Sequence, residues 1–506
     1  MSLSSSILPA LPASPALRSL RPYVVGFGLG AALLGLAAAG YSDGDDHFYI
    51  EAADGWLAHV PFVGTTHWHL RHPFVLAIAA SFAIFGRTEL ALMLPTLMAY
   101  AGILALTIRM VRLIADDTAA AWAALLVASV PVFVLYARIP YPDEIELVLV
   151  LLSLFLLWRG IERQCLGLMV LSGAVVGVCW LVRASCLPLI VLYGTLFLIG
   201  WRAPRSFYLW LIAGFVPLLL GEWAFFWATT GNAFYRFAID ASSLEIPSAH
   251  MIGGVAHGLR PPFNLALMAK WKPNGIHVHW LVDPYLDLLT NGSYGPIFWT
   301  GIPAAIAMCA RPQPSPTRAF SRVVCAFAVL WIVLEIWVLN LRPQPRYFGP
   351  VTWTASVMTA LWLRELIPTR RGWVVGIAAA IVVADLLVIV ARPDPVRAER
   401  VLAAYAERSP EPVWTNLSHG SFLLDDRAVA DRVHVAPPTQ VPPGRPYVVT
   451  RPDAVSLGIA GWQEVFCNRA PPPLLLRPLA VLNEISPRLA TLIRRGAADV
   501  LVLRAP

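Results

Sequence analysis

The sequence predicts an all-α polytopic membrane protein of about eleven transmembrane helices, followed by a small α/β C-terminal domain on the outer face of the membrane. Three observations carry this reading. Of the 506 residues, 58% are hydrophobic and only 14% are charged, well away from soluble globular usage. The apolar residues are gathered into repeated runs of bilayer length. From about Arg397 the composition changes, and Pro-rich polar stretches separate short apolar runs.

The first apolar run, residues 22–40, follows Arg18 and Arg21 and ends in Ala37, Ala38 and Ala39, which superficially resembles a secretion signal. Its length and the runs behind it predict an uncleaved first transmembrane helix. Further runs lie at 90–114, 118–138, 145–158, 166–182, 187–201, 207–229, 297–310, 319–341, 347–363 and 373–390. Each is near the length that crosses a bilayer core. The run at 73–85 is shorter, in the range of an interfacial helix. Charge decides its assignment. Arg109 and Arg112, Arg159 and Arg163, Arg202 and Arg205, Arg311, Arg318 and Arg322, and Arg364, Arg370 and Arg371 occupy junctions between runs. If 73–85 does not span, all of them fall on the side of Arg18 and Arg21, as the positive-inside rule requires. The N-terminus is then cytoplasmic, the C-terminus lies outside, and segments 41–87 and 231–291 form outer loops. The expected division is a transmembrane module over 1–396 and an outer domain over 397–506. In that tail, 412–415, 432–436, 446–450 and 499–503 read as strands, and 474–494 has helical spacing.

The formal charge of +7 does not indicate a nucleic-acid binder, because the arginines are scattered between apolar runs instead of forming one face. Lys270 and Lys272 are the only lysines, which reads as a coding bias of a GC-rich bacterial genome. Cys165, Cys179, Cys186, Cys309 and Cys325 sit in or beside apolar runs, and Cys467 is alone in the tail. No CxxC spacing occurs, so the cysteines are read as packing residues.

The chemistry gathers at outer helix ends. In YSDGDDHFYIEAADGW, residues 41–56, five carboxylates fall between Asp43 and Asp54. Acids at a bilayer face are functional candidates unless wetted or paired, and Asp45 and Asp46 head them. Solvating a loop and capping a helix is the plainer reading, with Asp45 as the cap. His67, His69, Arg71 and His72 follow; these residue types bind a metal or an anionic headgroup, or serve as interfacial polar groups. Arg71 stands out because an outer arginine runs against the charge bias. Arg138, Asp143, Glu144 and Glu146 lie at the start of the run 145–158, where a helix dipole favours acids. Arg342, Arg346 and Tyr347 lie at another outer helix start, which suits a phosphate, and Arg183 is similar in kind. His250, His257, Lys270, Lys272, His277 and His279 add polar groups in the loop 231–291.

These residues resemble the GT-C glycosyltransferases. DDHFYIEAADGW is similar to the first outer loop of the protein O-mannosyltransferases and lipid A aminoarabinose transferases, matching at Asp45, Asp46, Tyr49 and Ala53, with Asp46 in place of a glutamate. RHPFVLAIAASFAIFG, residues 71–86, resembles their Lys-Pro-Pro-Leu segment, with Arg71 for the lysine and His72 for the first proline. Leu70 stands where the relatives carry an acid. ARIPYPDEIELVLVLL matches a segment with a second outer Asp, at Asp143, and GNAFYRF and PQPRYFGP are similar to two later stretches. The likeness runs through most of residues 22–350.

The resemblance implies a polyprenyl-phosphate sugar donor and a glycan, lipid or protein acceptor on the outer face of a bacterial cytoplasmic (inner) membrane. It implies Asp45 as general base, Asp46 and Asp143 as supporting catalytic acids, and Tyr49, Arg71, His72, Arg138, Arg346 and Tyr347 as substrate-binding residues. Displacement by the acceptor inverts the anomeric centre. The residues name no cofactor and no metal ligand, and a divalent metal ion stays open. The alternative reading is a transporter or flippase of a lipid-linked sugar, which calls for polar residues and broken helices at mid-membrane.

Overall fold

The structure, a computed structural model, describes residues 15–37, 40–41, 44–243, 282–311, 315–338, 344–391, 396–417, 429, 431–469 and 499–506. Asp43, Arg342, Lys270, Lys272, the histidines at 250, 257, 277 and 279, and the helical spacing at 474–494 lie outside these residues.

The chain is a mostly helical polytopic membrane protein. Among the described residues four helical stretches are long and apolar enough to cross a bilayer: Glu89–Ile114, Arg205–Thr230, Pro316–Val338 and Pro345–Ala391. Shorter apolar helices accompany them, including Leu20–Leu36, His72–Phe85, Leu166–Val182 and Ile297–Cys309. The expected count of about eleven is therefore not read directly from helix length.

In chain order the elements are α1 (Pro15–Leu36), α2 (Asp46–Ala58), α3 (His72–Phe85), α4 (Glu89–Ile114), α5 (Asp117–Ser129), α6 (Pro131–Tyr136), α7 (Asp143–Arg163), α8 (Leu166–Val182), α9 (Leu187–Ile199), α10 (Arg205–Thr230) and α11 (Tyr235–Ser243). Then come α12 (Asp283–Thr290), α13 (Ile297–Cys309), α14 (Pro316–Val333), α15 (Gly349–Ala391) and α16 (Arg397–Arg408). A π-turn, Leu334–Val338, extends α14.

One expected span differs from its apolar run. The run 118–138 breaks at Val130, whose extended backbone (ψ 122°) precedes Pro131. Proline disfavours a helical residue before it and supplies no N–H, so α5 stops and α6 starts afresh. The runs 347–363 and 373–390 form two helical segments of α15, separated by a kink at Arg370, whose φ of −141° and ψ of 41° leave the helical region.

Close approach of backbones sets the packing of α8 on α10. A Cβ on Gly173 would lie 1.9 Å from the Leu211 carbonyl oxygen, and one on Gly214 would lie 1.9 Å from that of Val170. The two helices cross at reciprocal glycines, the small-residue contact of membrane interfaces. One large core joins α1, α4, α5, α7, α8, α13, α14 and α15. A second, smaller core holds Tyr49, Phe74, Ile78 and Phe82 between α2, α3 and the start of α4. Half of α3 faces inward there, while Ile84 and Phe85 are exposed.

The tail forms a five-stranded sheet in the order β2-β1-β3-β5-β4. The strands are β1 (Val413–Thr415), β2 (Val433–Val435), β3 (Pro446–Thr450), β4 (Gln463–Asn468) and β5 (Val500–Arg504). β1 runs parallel to β2 and β3, and β5 runs antiparallel to β3 and β4. Alternation along the strands puts Val448, Val500 and Val502 against α16, and Tyr447, Val449, Leu501 and Leu503 on the opposite face. Four strands match the expected ones within a residue or two. β4 and α16 were not expected: β4 alternates weakly, and α16 is mostly charged on its outer face. Arg400 of α16 meets Glu89 at 2.6 Å, and Glu89 also accepts from the Tyr41 backbone N–H at 3.1 Å. This ties the sheet to the helical body beside the acidic loop.

Candidate active site

Four segments distant in sequence meet at one end of the helical body. Asp45 occupies the N-cap position of α2, but its side chain makes no capping bond. It faces Arg346 instead, Oδ2 to Nη2 at 3.2 Å, across 301 residues of chain. The expected capping role for Asp45 is thus corrected. Its neighbour Asp46 is fully buried and accepts from the Gly44 backbone N–H at 2.6 Å, which fastens the loop into α2. The two adjacent acids, alike in sequence, are used differently.

Arg346 is held from several sides. Its Nε donates to the Gln344 side-chain oxygen at 3.0 Å and its Nη2 to the Tyr347 hydroxyl at 3.2 Å. The guanidinium lies 4.6 Å from the Tyr141 ring centre and 5.1 Å from that of Tyr347. The Tyr347 ring also carries the guanidinium of Arg183, at 4.2 Å. Arg183 follows α8 and binds the first turn of α7: Nη1 lies 2.6 Å from Asp143 and 3.5 Å from Glu146. Ser185 donates to Glu146 at 2.5 Å. An unbroken line thus runs Asp45, Arg346, Tyr347, Arg183, Asp143. Burying an ion pair is tolerable only with such added partners.

Trp331 supports this line from below, donating to the Tyr347 carbonyl at 2.8 Å. Four residues on, Glu335 lies on the same helical side within the π-turn. It is buried, neither carboxyl oxygen has a hydrogen-bond partner, and Glu146, Arg183 and Asp143 are its electrostatic neighbours. Glu335 went unremarked in the sequence reading, although an acid inside the run 319–341 was the available signal.

Arg71 closes the cluster from α3 by donating to the Tyr49 hydroxyl. Tyr49 is buried, with its ring edge-on to Phe74 at 4.9 Å. Burial pushes its hydroxyl up, against the pull of Arg71, so it stays a neutral hydroxyl group. His67 lies against Trp68 with ring centres 3.8 Å apart and planes tilted by 32°. Burial and then Arg71 push it down to about 3, which leaves a neutral imidazole within the field of Asp45.

Other expected site residues are engaged elsewhere. Arg138 donates to the carbonyls of Leu34 and Ala37, satisfying the last turn of α1. His72 sits in an aromatic box, 5.2 Å from the Phe225 ring and 5.8 Å from that of Trp56. Burial, with Arg236 nearby, pushes it down to about 4. His69 pairs with Glu51 at 3.4 Å, and burial pushes it down. The three histidines do not converge, and no cluster of three His, Cys, Asp or Glu suited to a metal occurs among the described residues. A buried pair, Glu222 and Arg236 at 2.8 Å, holds α10 to α11. It too was missed, although Arg236 lies in the singled-out stretch GNAFYRF.

The arrangement presents one part-exposed carboxylate, Asp45, with Arg346 and the buried Arg183–Asp143 pair behind it and Arg71 nearby. Such a cluster can receive an anion of phosphate type and accept a proton from a hydroxyl beside it.

Comparison with known proteins bears on the fold. The sequence model of the family "Dolichyl-phosphate-mannose-protein mannosyltransferase" matches residues 71–227. No curated protein matches the chain significantly. Among solved structures, ArnT from Cupriavidus metallidurans bound to undecaprenyl phosphate is similar with a TM-score of 0.53 at 13% identity, covering 97% of this chain and 98% of that one. The same protein in the apo state gives 0.52 at 12% identity, covering 96% and 97%. The archaeal oligosaccharyltransferase AglB from Archaeoglobus fulgidus, in complex with an inhibitory peptide and a dolichol-phosphate, gives 0.49 at 15% identity, covering 77% and 58%. The resemblance to GT-C membrane glycosyltransferases is borne out.

Proposed function

We propose that this chain, which has the fold of the GT-C membrane glycosyltransferases, transfers a sugar from a polyprenyl-phosphate-linked donor to an acceptor hydroxyl at the outer membrane face. The observation that carries the reading is the Asp45–Arg346 pair at 3.2 Å, which sets an accessible carboxylate beside a fixed guanidinium. Asp45 is the general base. It takes the proton from the acceptor hydroxyl as that oxygen bonds to the anomeric carbon. The bond from that carbon to the phosphate oxygen breaks, and polyprenyl phosphate leaves with the electron pair. A phosphate leaving group calls for cations more than for an acid, so Arg346 and Arg71 receive it. Asp143 holds Arg183 against Tyr347 and thereby orients Arg346. Asp46 shapes the loop. Direct displacement inverts the anomeric centre, and the transition state has oxocarbenium character.

The same reading assigns about eleven spans, with the shorter apolar helices completing the set and α3 lying in the interface. It makes residues 1–396 the catalytic module and 397–506 an outer-face domain of a bacterial cytoplasmic membrane protein. The test is a panel of radiolabelled polyprenyl-phosphate sugars given to the purified protein in nanodiscs, with membrane extract as acceptor source. Release of polyprenyl phosphate with label in a new product is the expected result. A folded protein that releases none from any donor speaks against the reading. Retained anomeric configuration in the product, read by NMR, would rule out the single displacement.

A further inference from the structure

Away from the site, a cavity of about 350 Å3 opens where the turn between α9 and α10 meets the start of α14. Its lining is Arg202, Ser315, Pro316, Arg318, Ala319 and Arg322, which includes three guanidinium groups and no carboxylate. Ser315 caps α14 by accepting from the Arg318 backbone N–H at 3.1 Å, so the positive end of an 18-residue helix opens here as well. Arg202 lies 5.6 Å from the ring centres of both Trp158 and Trp201.

An excess of arginine on one membrane side needs no ligand to explain it, and several of its members are paired with carboxylates. Arg112 meets Asp117 at 2.7 Å, Arg159 meets Glu162 at 3.2 Å and Arg364 meets Asp116 at 2.6 Å. Arg311 pairs with Glu365. Among the described residues Arg202 and Arg322 meet no carboxylate; Arg322 donates to the Cys309 carbonyl at 3.3 Å, and Arg202 rests on the two tryptophans. Two guanidinium groups that meet no carboxylate thus share one concavity with Arg318.

We propose that this cavity binds a phosphate group, as carried by an anionic phospholipid headgroup. Basic pockets between transmembrane helices take such headgroups, and a guanidinium presents a fork matched to phosphate oxygens. The site is separate from the sugar-transfer cluster and does not rest on the proposed function.

The test is native mass spectrometry of the delipidated protein, titrated with phosphatidylglycerol or with phosphatidylcholine, using wild type, the double variant Arg202→Gln/Arg322→Gln, and Arg112→Gln as a matched control. With each surface-level cation contributing modestly, the double variant is expected to need about tenfold more phosphatidylglycerol for the same occupancy. Phosphatidylcholine binding and the Arg112→Gln control are expected to match wild type. Inorganic phosphate added to the wild-type complex separates the sources. Displacement of the lipid shows a site for the phosphate group from either source; retention shows a site for the whole headgroup. Both are consistent with the proposal. Equal phosphatidylglycerol binding by wild type and the double variant overturns it. Because both arginines are exposed, an Arg202→Lys/Arg322→Lys variant keeps the charge and guards against misfolding; it should retain part of the affinity.

Discussion

Two carboxylate–guanidinium pairs share the ring of Tyr347 and differ in what surrounds them. Asp143 and Arg183 lie 2.6 Å apart with side-chain exposures of 5% and 12%, and Glu146 and Ser185 complete their bonding. Asp45 and Arg346 lie 3.2 Å apart with exposures of 28% and 13%, and Asp45 has no capping bond to satisfy it. The first pair is closed and rigid and acts as support. The second is open on one side, where a ligand can reach the carboxylate. The same residue types serve as frame or as reactive group according to burial and to how many partners each already has.

Breaking the closed pair should have the largest effect on stability. Arg183→Met leaves Asp143 and Glu146 buried without their cation, and the expected loss is about 3–5 kcal/mol in a denaturant unfolding series. Breaking the open pair should instead affect binding. Arg346→Met removes a charge-assisted bond worth about 1.5–3 kcal/mol, so donor affinity should fall roughly tenfold to a hundredfold while the unfolding midpoint changes little. If Arg346→Met unfolded the protein and Arg183→Met did not, the two roles would have to be exchanged.

A third prediction concerns pH. His72 is lowered from 6.5 to about 4, so between those values the unfolded chain binds more protons than the folded one. The stability contributed by the neutral ring is complete above the ordinary value and is lost as pH falls toward the folded one. The wild-type melting temperature should drop as pH is lowered from about 7 to about 5, and His72→Phe, suited to the aromatic box, should flatten that slope. An unchanged slope would show that the ring titrates normally. The smallest effect is expected at the exposed pair of Arg112 and Asp117, where Arg112→Ala should cost at most about 1 kcal/mol in the same unfolding series.

The sequence made the open pair half legible. The acids at 45 and 46 stood out because charge is scarce in so apolar a chain, and Arg346 stood out at a helix start. Nothing local told Asp45 from Asp46. One faces a cation 301 residues away and the other bonds the turn beside it, and only tertiary packing separates those fates. Arg138 was selected by the same criterion as Arg346, yet it serves the carbonyls at the end of α1, a demand set by where that helix stops. Spans were legible as apolar runs, but one break was not placed: Pro131 was read through. In the tail, strands rich in β-branched residues were visible, whereas β4, with Gln463, Glu464 and Asn468, lacked the pattern.

The most direct test of the central claim is turnover of a lipid-linked sugar by wild type and by Asp45→Ala, each checked for folding and membrane insertion. With Asp45 as general base, the variant should bind the donor and lose about 10²–10⁴-fold in transfer rate. Wild-type turnover in Asp45→Ala would contradict the assignment and leave Arg346 facing an acid that takes no part in the chemistry.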